Sequence, residues 1–134
     1  MKTLRPLLVL LIALFTVSAC KKEKEESADL RLVGEWEIRS SVGGLSPSTQ
    51  FPEGNGKILK FSETGYQRLE NGQVIKSGTY EIIEEKFWAG NYRIVFDGDL
   101  TGLTQYIRIS KDQLTIYSGA PIALDGLETV YKRK

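Results

Sequence analysis

Carboxylates are the main side chains in this sequence that could carry out acid–base or metal chemistry. The 134 residues include 17 Asp and Glu, one Cys and no His. The lack of His excludes Ser-His-Asp and Cys-His catalysis as well as His-ligated metal sites. Two acidic pairs, Glu84-Glu85 and Asp97/Asp99, lie in segments that predict turns, where carboxylates are ordinarily solvated. The sequence therefore favours a protein that is not an enzyme.

The segment that starts at Asp97 has the acidic spacing with which a calcium loop begins. An EF-hand loop needs a further acidic ligand at its twelfth position, and counting from Asp97 that position is Arg108. The single Cys also excludes a Cys-based zinc cage and an internal disulfide framework. We therefore expect no metal and no cofactor.

Aromatic and basic residues alternate on two predicted strands, as Tyr66 with Arg68 and as Tyr106 with Arg108. Some barrels bind single-stranded nucleic acid on such faces. The chain has 18 basic and 17 acidic residues, however, and a formal charge of only +1, which gives little attraction for a polyanion. We interpret both pairs as the outer wall of a barrel and expect no nucleic-acid partner.

The single cysteine, Cys20, ends a segment that is typical of bacterial export signals. Lys2 and Arg5 form a basic start, and residues 7–15 are an unbroken apolar run that is too short to span a bilayer. Residues 17–20, Val-Ser-Ala-Cys, resemble the bacterial lipobox. The resemblance implies that diacylglycerol is attached to the Cys20 sulfur and that the chain is cut before this residue. The alternative is an ordinary signal followed by an unrelated Cys.

This resemblance divides the chain into a signal peptide over residues 1–19, a lipidated tether over 20–29 and a folded domain over 30–134. The lipid anchor implies a place in the cell envelope. Lys21 stands where Asp favours retention in the inner membrane, so the outer membrane is expected. The charged run 21–29 fits either a solvated tether or the Lys-plus-acidic export signal of surface lipoproteins, which leaves the periplasmic face and the cell surface both open.

Beyond residue 30, short segments of alternating polarity recur about every ten residues between Gly, Asn, Asp and Ser, which is typical of an all-β sandwich or barrel. The predicted strands are 35–42, 57–62, 65–70, 73–83, 91–97, 104–110, 113–118 and 127–133. Asn71-Gly72 is a strong hairpin signal because both residues tolerate positive φ. We predict an eight-stranded antiparallel up-and-down barrel, since closure removes exposed strand edges.

The alternation also predicts which side chains point into the barrel. The predicted inward set is Trp36, Ile38, Leu59, Phe61, Leu69, Tyr80, Ile82, Ile94, Ile107, Ile109, Leu114, Ile116 and Tyr131. Ser40 and Val42 are expected to share the face of Trp36. Gly78, in the middle of a strand, predicts a bulge or a sharp bend. No segment shows a convincing helical period.

Gly34-Glu35-Trp36 opens the first predicted strand, and Arg133 lies at the end of the last. This pattern resembles that of the lipocalins, and residues 30–134 are similar to the short lipocalin-like lipoproteins of bacteria. The resemblance implies that Trp36 plugs the closed end of the barrel and that Arg133 lies across its indole. The domain is shorter than a typical lipocalin, which implies a small or filled interior. The alternative for Trp36 is a core aromatic residue of another β fold.

The lipocalin resemblance further implies a small apolar ligand inside the barrel, since eight strands leave room for one. The segment 43–56 shows no period, and the resemblance implies that it forms a lid over the open mouth. The expected ligand contacts are Leu45, Phe51, Phe61, Tyr80 and Tyr131. A filled barrel that binds a protein partner at the cell envelope is the alternative from a different functional class.

Overall fold

The alternating segments of the sequence form β-strands around a common core. The computed structural model of the protein describes residues 28–44, 46–85, 92–119 and 126–134. Their elements are α1 (Ala28–Leu32), β1 (Gly34–Gly43), β2 (Thr49–Gln50), β3 (Lys57–Phe61), β4 (Gly65–Glu70), β5 (Gln73–Ile83), β6 (Tyr92–Phe96), β7 (Gln105–Ser110), β8 (Gln113–Ser118) and β9 (Leu127–Arg133). Cys20, the segment 1–27 and Leu45 lie outside the described residues.

Eight of these strands form a closed antiparallel barrel. From β3 to β9 each strand pairs with the next in the chain, and β1 pairs with β3 on one side and with β9 on the other. The closing ladder runs from Trp36 opposite Arg133 to Gly43 opposite Leu127. β2 pairs with Ser40 and Ser41, in the part of β1 that extends beyond its ladder with β3. The predicted all-β up-and-down barrel is confirmed, and its closure needs no residue before Ala28.

Most strand bounds follow the predicted pattern. β4, β5, β8 and β9 have the predicted bounds, and the hairpin between β4 and β5 turns through Asn71 (φ +52°) and Gly72 (φ +82°) as expected. α1 and β2 were not predicted. α1 is 5 residues long and β2 is 2 residues long, and elements of that length show no recognisable period. α1 also includes Ala28, which the sequence places in the tether.

The core fills one half of the barrel, around Trp36. Its buried members are Leu32, Trp36, Leu59, Phe61, Tyr66, Ile94, Ile107, Leu114 and Ile116. Partly buried side chains pack around them, namely Tyr80, Ile82, Tyr92, Phe96, Ile109 and Tyr131. Leu32, on α1, is fully buried. The short helix therefore covers the end of the barrel at which Trp36 lies.

The side chains of β4 face the opposite way from the prediction. Arg68 is the cross-strand partner of Leu59, a core residue, and such partners point to the same face of a sheet. Arg68 and Tyr66 therefore point into the barrel, while Leu69 points out. The prediction that Leu69 is inward and that Tyr66 and Arg68 form the outer wall is wrong. The prediction places Leu69 inside the barrel because Leu69 is the one aliphatic residue of β4. In the structure the ring of Tyr66 is buried, and this ring determines which side chains of β4 face inward.

A bulge in β1 reverses the alternation along the second half of the strand. The register against β9 shifts between Ile38 and Ser40, so Arg39 is an extra residue. Ser40 and Val42 consequently lie on the outer side, where Val42 is 44% exposed. The prediction that these two residues share the face of Trp36 is wrong because an inserted residue moves every later side chain to the other face.

A glycine is needed at position 78 because the Asp97 side chain lies close to its backbone, and not because the strand bulges there. It lies in a regular part of the β4–β5 ladder, paired with Tyr66. A Cβ atom at this position would overlap Oδ1 of Asp97, so only glycine fits beside that carboxylate. The irregularity of β5 lies at Ile75, and the prediction of a bulge at Gly78 is wrong.

Candidate functional site

The indole of Trp36 closes one end of the barrel. Trp36 is fully buried, and its Nε1 donates a hydrogen bond of 2.8 Å to the Leu32 carbonyl oxygen. The guanidinium of Arg133 lies over the indole, with Cζ 4.2 Å from the ring centroid. It also donates hydrogen bonds to the carbonyl oxygens of Arg31 and Val33. One arginine at the end of β9 therefore joins α1 to the start of β1.

Gly34 allows this arginine to reach its position. Gly34 has a φ of +140°, which side chains rarely adopt, and a Cβ atom there would lie 2.6 Å from Nη1 of Arg133. The structure thus brings together Gly34, Trp36 and Arg133. Their stacked arrangement is the one that the lipocalin resemblance implies.

Replacing Arg133 with alanine should lower the free energy of unfolding by roughly 1–2 kcal/mol, from the lost cation–π contact and stem packing. Urea unfolding followed by Trp36 fluorescence in a Trp88→Phe background measures this, because the chain has 2 Trp. Arg108→Ala is the comparison, since Arg108 is exposed on β7 and its Cζ lies 5.7 Å from the Tyr117 ring centroid, a longer contact without hydrogen bonds to α1, so it should lower the midpoint less than Arg133→Ala. Equal midpoints for Arg133→Ala and the unsubstituted chain would show that the stack does not stabilise the barrel.

The acidic pair of the β6–β7 connection is bound within the protein and not merely solvated. Oδ2 of Asp97 accepts the Tyr66 hydroxyl at 2.9 Å and lies 3.3 Å from Nζ of Lys76, while Oδ1 accepts the Thr79 amide at 3.1 Å. The Tyr66 hydrogen bond, assisted by Lys76, lowers the pKa of Asp97. Asp97 therefore ties β4, β5 and β6 together.

Asp99 is occupied in a similar way by its own turn. Its Oδ1 accepts the amides of Thr101 and Gly102, each at 2.9 Å, and the Thr101 hydroxyl. These hydrogen bonds, the hydroxyl first, lower the pKa of Asp99. Within the ranges that the structure describes, no group of three or more acidic, His or Cys side chains is placed to hold a metal ion.

Glu37 is a buried carboxylate that the sequence does not single out. It is 2% exposed, and its Oε2 accepts the Gly54 amide at 3.0 Å and the Arg39 guanidinium. The Gly54 hydrogen bond, with the help of Arg39, lowers the pKa of Glu37 against the opposing effect of burial. A Glu on the polar side of a strand looks like a solvated wall residue, so no local signal reveals that a turn folds over it.

Residues 46–56 extend the barrel wall, where the resemblance implies a lid. β2 pairs with β1, and the Phe51 amide donates to the Arg39 carbonyl at 2.8 Å. The Asn55 side chain donates to the Ile38 carbonyl at 2.8 Å. Together with Glu37, these hydrogen bonds hold the β2–β3 connection against the bulge of β1.

The substitution Glu37→Gln should change how stability depends on pH. Because the pKa of Glu37 is lowered from 4.5 in the folded state, the carboxylate stabilises the fold above that pH and loses its contribution as the pH falls through the lower folded value. The variant should therefore be less stable at neutral pH, by about 1–3 kcal/mol, with a difference that shrinks in acid.

Urea unfolding at a series of pH values measures this difference. Glu35→Gln is the control, because Glu35 forms an exposed ion pair with Lys60 (3.0 Å) on the barrel surface, a type of contact that contributes little. A difference between Glu37→Gln and the unsubstituted chain that stays constant across the acid range would contradict the role of the charge.

The end of the barrel away from Trp36 has a polar inner face. Most inward side chains at this end are polar, namely Ser41, Arg68, Gln105, Ser118 and Thr129, and Leu127 is an apolar residue among them. Two cavities lie at this end, which we call the mouth. The Tyr131 cavity, of about 240 Å³, is lined by Ile38, Phe51, Leu59, Arg68 and Tyr131, among others. The Asp97 cavity, of about 250 Å³, is lined by Tyr66, Arg68, Lys76, Asp97 and Gln105, among others.

The expected ligand contacts are divided between the mouth and the core. Phe51 and Tyr131 line the Tyr131 cavity. Phe61 is 2% exposed and packs edge-to-face on Tyr80 at 5.1 Å, and the Tyr80 hydroxyl donates to the Ser62 carbonyl. Phe61 and Tyr80 line neither mouth cavity, so they serve packing. Arg68, which the sequence assigns to the outer wall, lines both cavities.

Among the helices formed by the described residues, none has the length and apolar character that crossing a bilayer requires. Searches of protein-family models, of curated proteins and of solved structures find no match to the chain. A functional proposal therefore rests on the residues of this chain alone.

Proposed function

We propose that the protein is a lipid-anchored lipoprotein of the bacterial outer membrane whose lipocalin-like barrel binds one small ligand at its mouth. The observation that supports ligand binding is the uneven filling of the barrel. Buried side chains surround Trp36 inside the barrel, whereas the opposite end has cavities of about 240 and 250 Å³. A further cavity of about 410 Å³ lies against the outer face of β3, β4 and β5, where Lys60, Gln67 and Ser77 line it. A barrel used only as a rigid scaffold has no need of such space.

The lining of the Tyr131 cavity resembles that of a ligand site. Ile38, Phe51 and Leu59 supply an apolar wall, and Tyr131 supplies a hydroxyl that can fix an orientation. Ligand pockets combine an apolar lining with a few polar groups and commonly measure about 300–1,000 Å³. The cavity lies just below that range, which favours a ligand with few heavy atoms.

The lipid anchor is supported by the residues around Cys20. The single Cys of the chain follows an apolar run and a Val-Ser-Ala triplet, the arrangement in which acylation occurs. Lys21 supports delivery to the outer membrane, on either of its faces. Two or three acyl chains would give stable membrane attachment.

A titration of the unlipidated chain that begins at Lys21 with Nile red, a neutral dye that fluoresces in apolar sites, tests ligand binding. We expect saturable binding at one site. Ile38→Trp should fill the Tyr131 cavity and weaken binding by about tenfold or more, equivalent to about 1.4 kcal/mol. Ile83→Trp is the matched control, because Ile83 is a half-buried residue of β5 that lines neither mouth cavity.

A filled barrel that binds a protein partner is the second candidate. Large apolar side chains are exposed in the β4–β5 hairpin, where Val74 is 51% and Ile75 is 58% exposed. Others lie in the β6–β7 connection, where Leu100 is 62% and Leu103 is 75% exposed. The absence of saturable dye binding by a chain that melts cooperatively would contradict the ligand proposal and favour this one.

A further inference from the structure

We infer that the mouth ligand is a small amphiphile with one negative charge, and that Arg68 recognises this charge. The inference rests on the proposed function and names the chemical class of its ligand. It replaces a purely apolar ligand with one that has a carboxylate at one end and a short apolar tail at the other.

Arg68 lies on the inner face of the barrel, on the same side of the sheet as Leu59. Its cross-strand partners are Leu59 on β3 and Lys76 on β5, and Leu59 belongs to the core. Arg68 is a solvent-exposed residue, and it lines both the Tyr131 and the Asp97 cavities. A ligand in either cavity would therefore meet this cation.

Among the described residues, no side chain neutralises the charge of Arg68. Its neighbour Lys76 is paired with Asp97 at 3.3 Å, but in the described part of the chain no carboxylate lies within ion-pair distance of Arg68. The Tyr131 cavity is lined by two cations, Lys57 and Arg68, against one carboxylate, Glu70. Its lining therefore has a net charge of +1, from two positive charges and one negative charge.

Tyr131 supplies a second donor in the same cavity, which both it and Arg68 line. Burial raises the pKa of its hydroxyl, and the charge of Arg68 opposes this effect. The hydroxyl thus stays protonated at neutral pH and can donate. A planar guanidinium and a hydroxyl form strong, charge-assisted hydrogen bonds to a carboxylate. Ile38, Phe51 and Leu59 would contact the apolar tail.

Competition with Nile red on the chain from Lys21 onward tests the inference, because the barrel closes within the residues from Ala28. The competitors are octanoate, octanol and octylammonium, which share a tail and differ in charge. We expect octanoate to bind about tenfold more tightly than octanol, as one exposed charge-assisted hydrogen bond implies, and octylammonium to bind most weakly. Added salt should reduce the preference for octanoate.

Arg68→Met keeps an apolar stem and removes the charge, so octanoate and octanol should then bind equally. Arg68→Lys should keep part of the preference, since it retains the charge without the planar fork. Arg108→Met is the matched control, because Arg108 is an exposed arginine whose cross-strand partner is Thr115 and it lines neither mouth cavity. It should leave the preference unchanged.

The outcomes separate the inference from the proposed function. Equal displacement of the dye by octanoate and octanol from the unsubstituted chain would overturn the role of charge and leave the cavity as a ligand site. A preference for octanoate that survives in Arg68→Met would overturn the role of Arg68. Failure of the folded chain to bind either the dye or any competitor would overturn both.

Discussion

Replacing Trp36 with alanine should lower the free energy of unfolding by about 3–5 kcal/mol, the usual range for a buried Trp. Three contacts are lost together. The indole fills the closed end of the barrel with none of its surface exposed, donates to the Leu32 carbonyl and supports the Arg133 guanidinium. Since small domains are stable by only about 5–15 kcal/mol, the variant should be close to unfolding.

Urea unfolding followed by far-ultraviolet circular dichroism measures this effect without relying on the fluorophore that is removed. Trp36→Phe is the informative intermediate, because it keeps an aromatic ring under Arg133 and loses the hydrogen bond to Leu32. It should be less destabilising than Trp36→Ala. An unfolding midpoint of Trp36→Ala equal to that of the unsubstituted chain would show that the closed end does not depend on the indole.

Replacing Cys20 with alanine should abolish membrane attachment through lipid. The variant should accumulate as an uncut precursor without acyl chains, since it lacks the sulfur that we propose accepts diacylglycerol. Mass spectrometry of the intact protein, with fractionation of cells into membrane and soluble parts, measures both effects. Lys21→Ala is the control, because it leaves the sulfur in place and should still be acylated. A native protein that begins at another residue and carries no lipid would contradict the anchor.

The strands were predictable because their signals are local. β5 and β9 alternate within their own residues, and the Asn71-Gly72 turn fixes the register of its hairpin through two positive φ angles. The errors arise where a strand that is distant in the sequence determines which face of the sheet a side chain points to. The phase of β4 depends on Leu59, which is its partner across the sheet. The bulge at Arg39 is defined only by the ladder with β9.

The candidate site was predictable to a similar degree. Gly34, Trp36 and Arg133 follow from the lipocalin resemblance, because a family pattern carries information about distant contacts. Arg68 and Glu37 could not be placed from sequence. Each is a charged residue on a strand with alternating polarity, and whether it faces solvent, a cavity or an overlying turn depends on register and on the path of a connection far away in the chain.

The position of α1 has a consequence for the direction from which a ligand arrives. Ala28 lies at the end of the barrel that Trp36 closes, 8 positions after Cys20 in the sequence (28 − 20). Eight residues reach at most about 28 Å, so an anchor at Cys20 would tether the closed end near the bilayer. The mouth, at the far end, would then exchange its ligand with the aqueous compartment. Such an access route suits a water-soluble amphiphile better than a lipid extracted from the membrane.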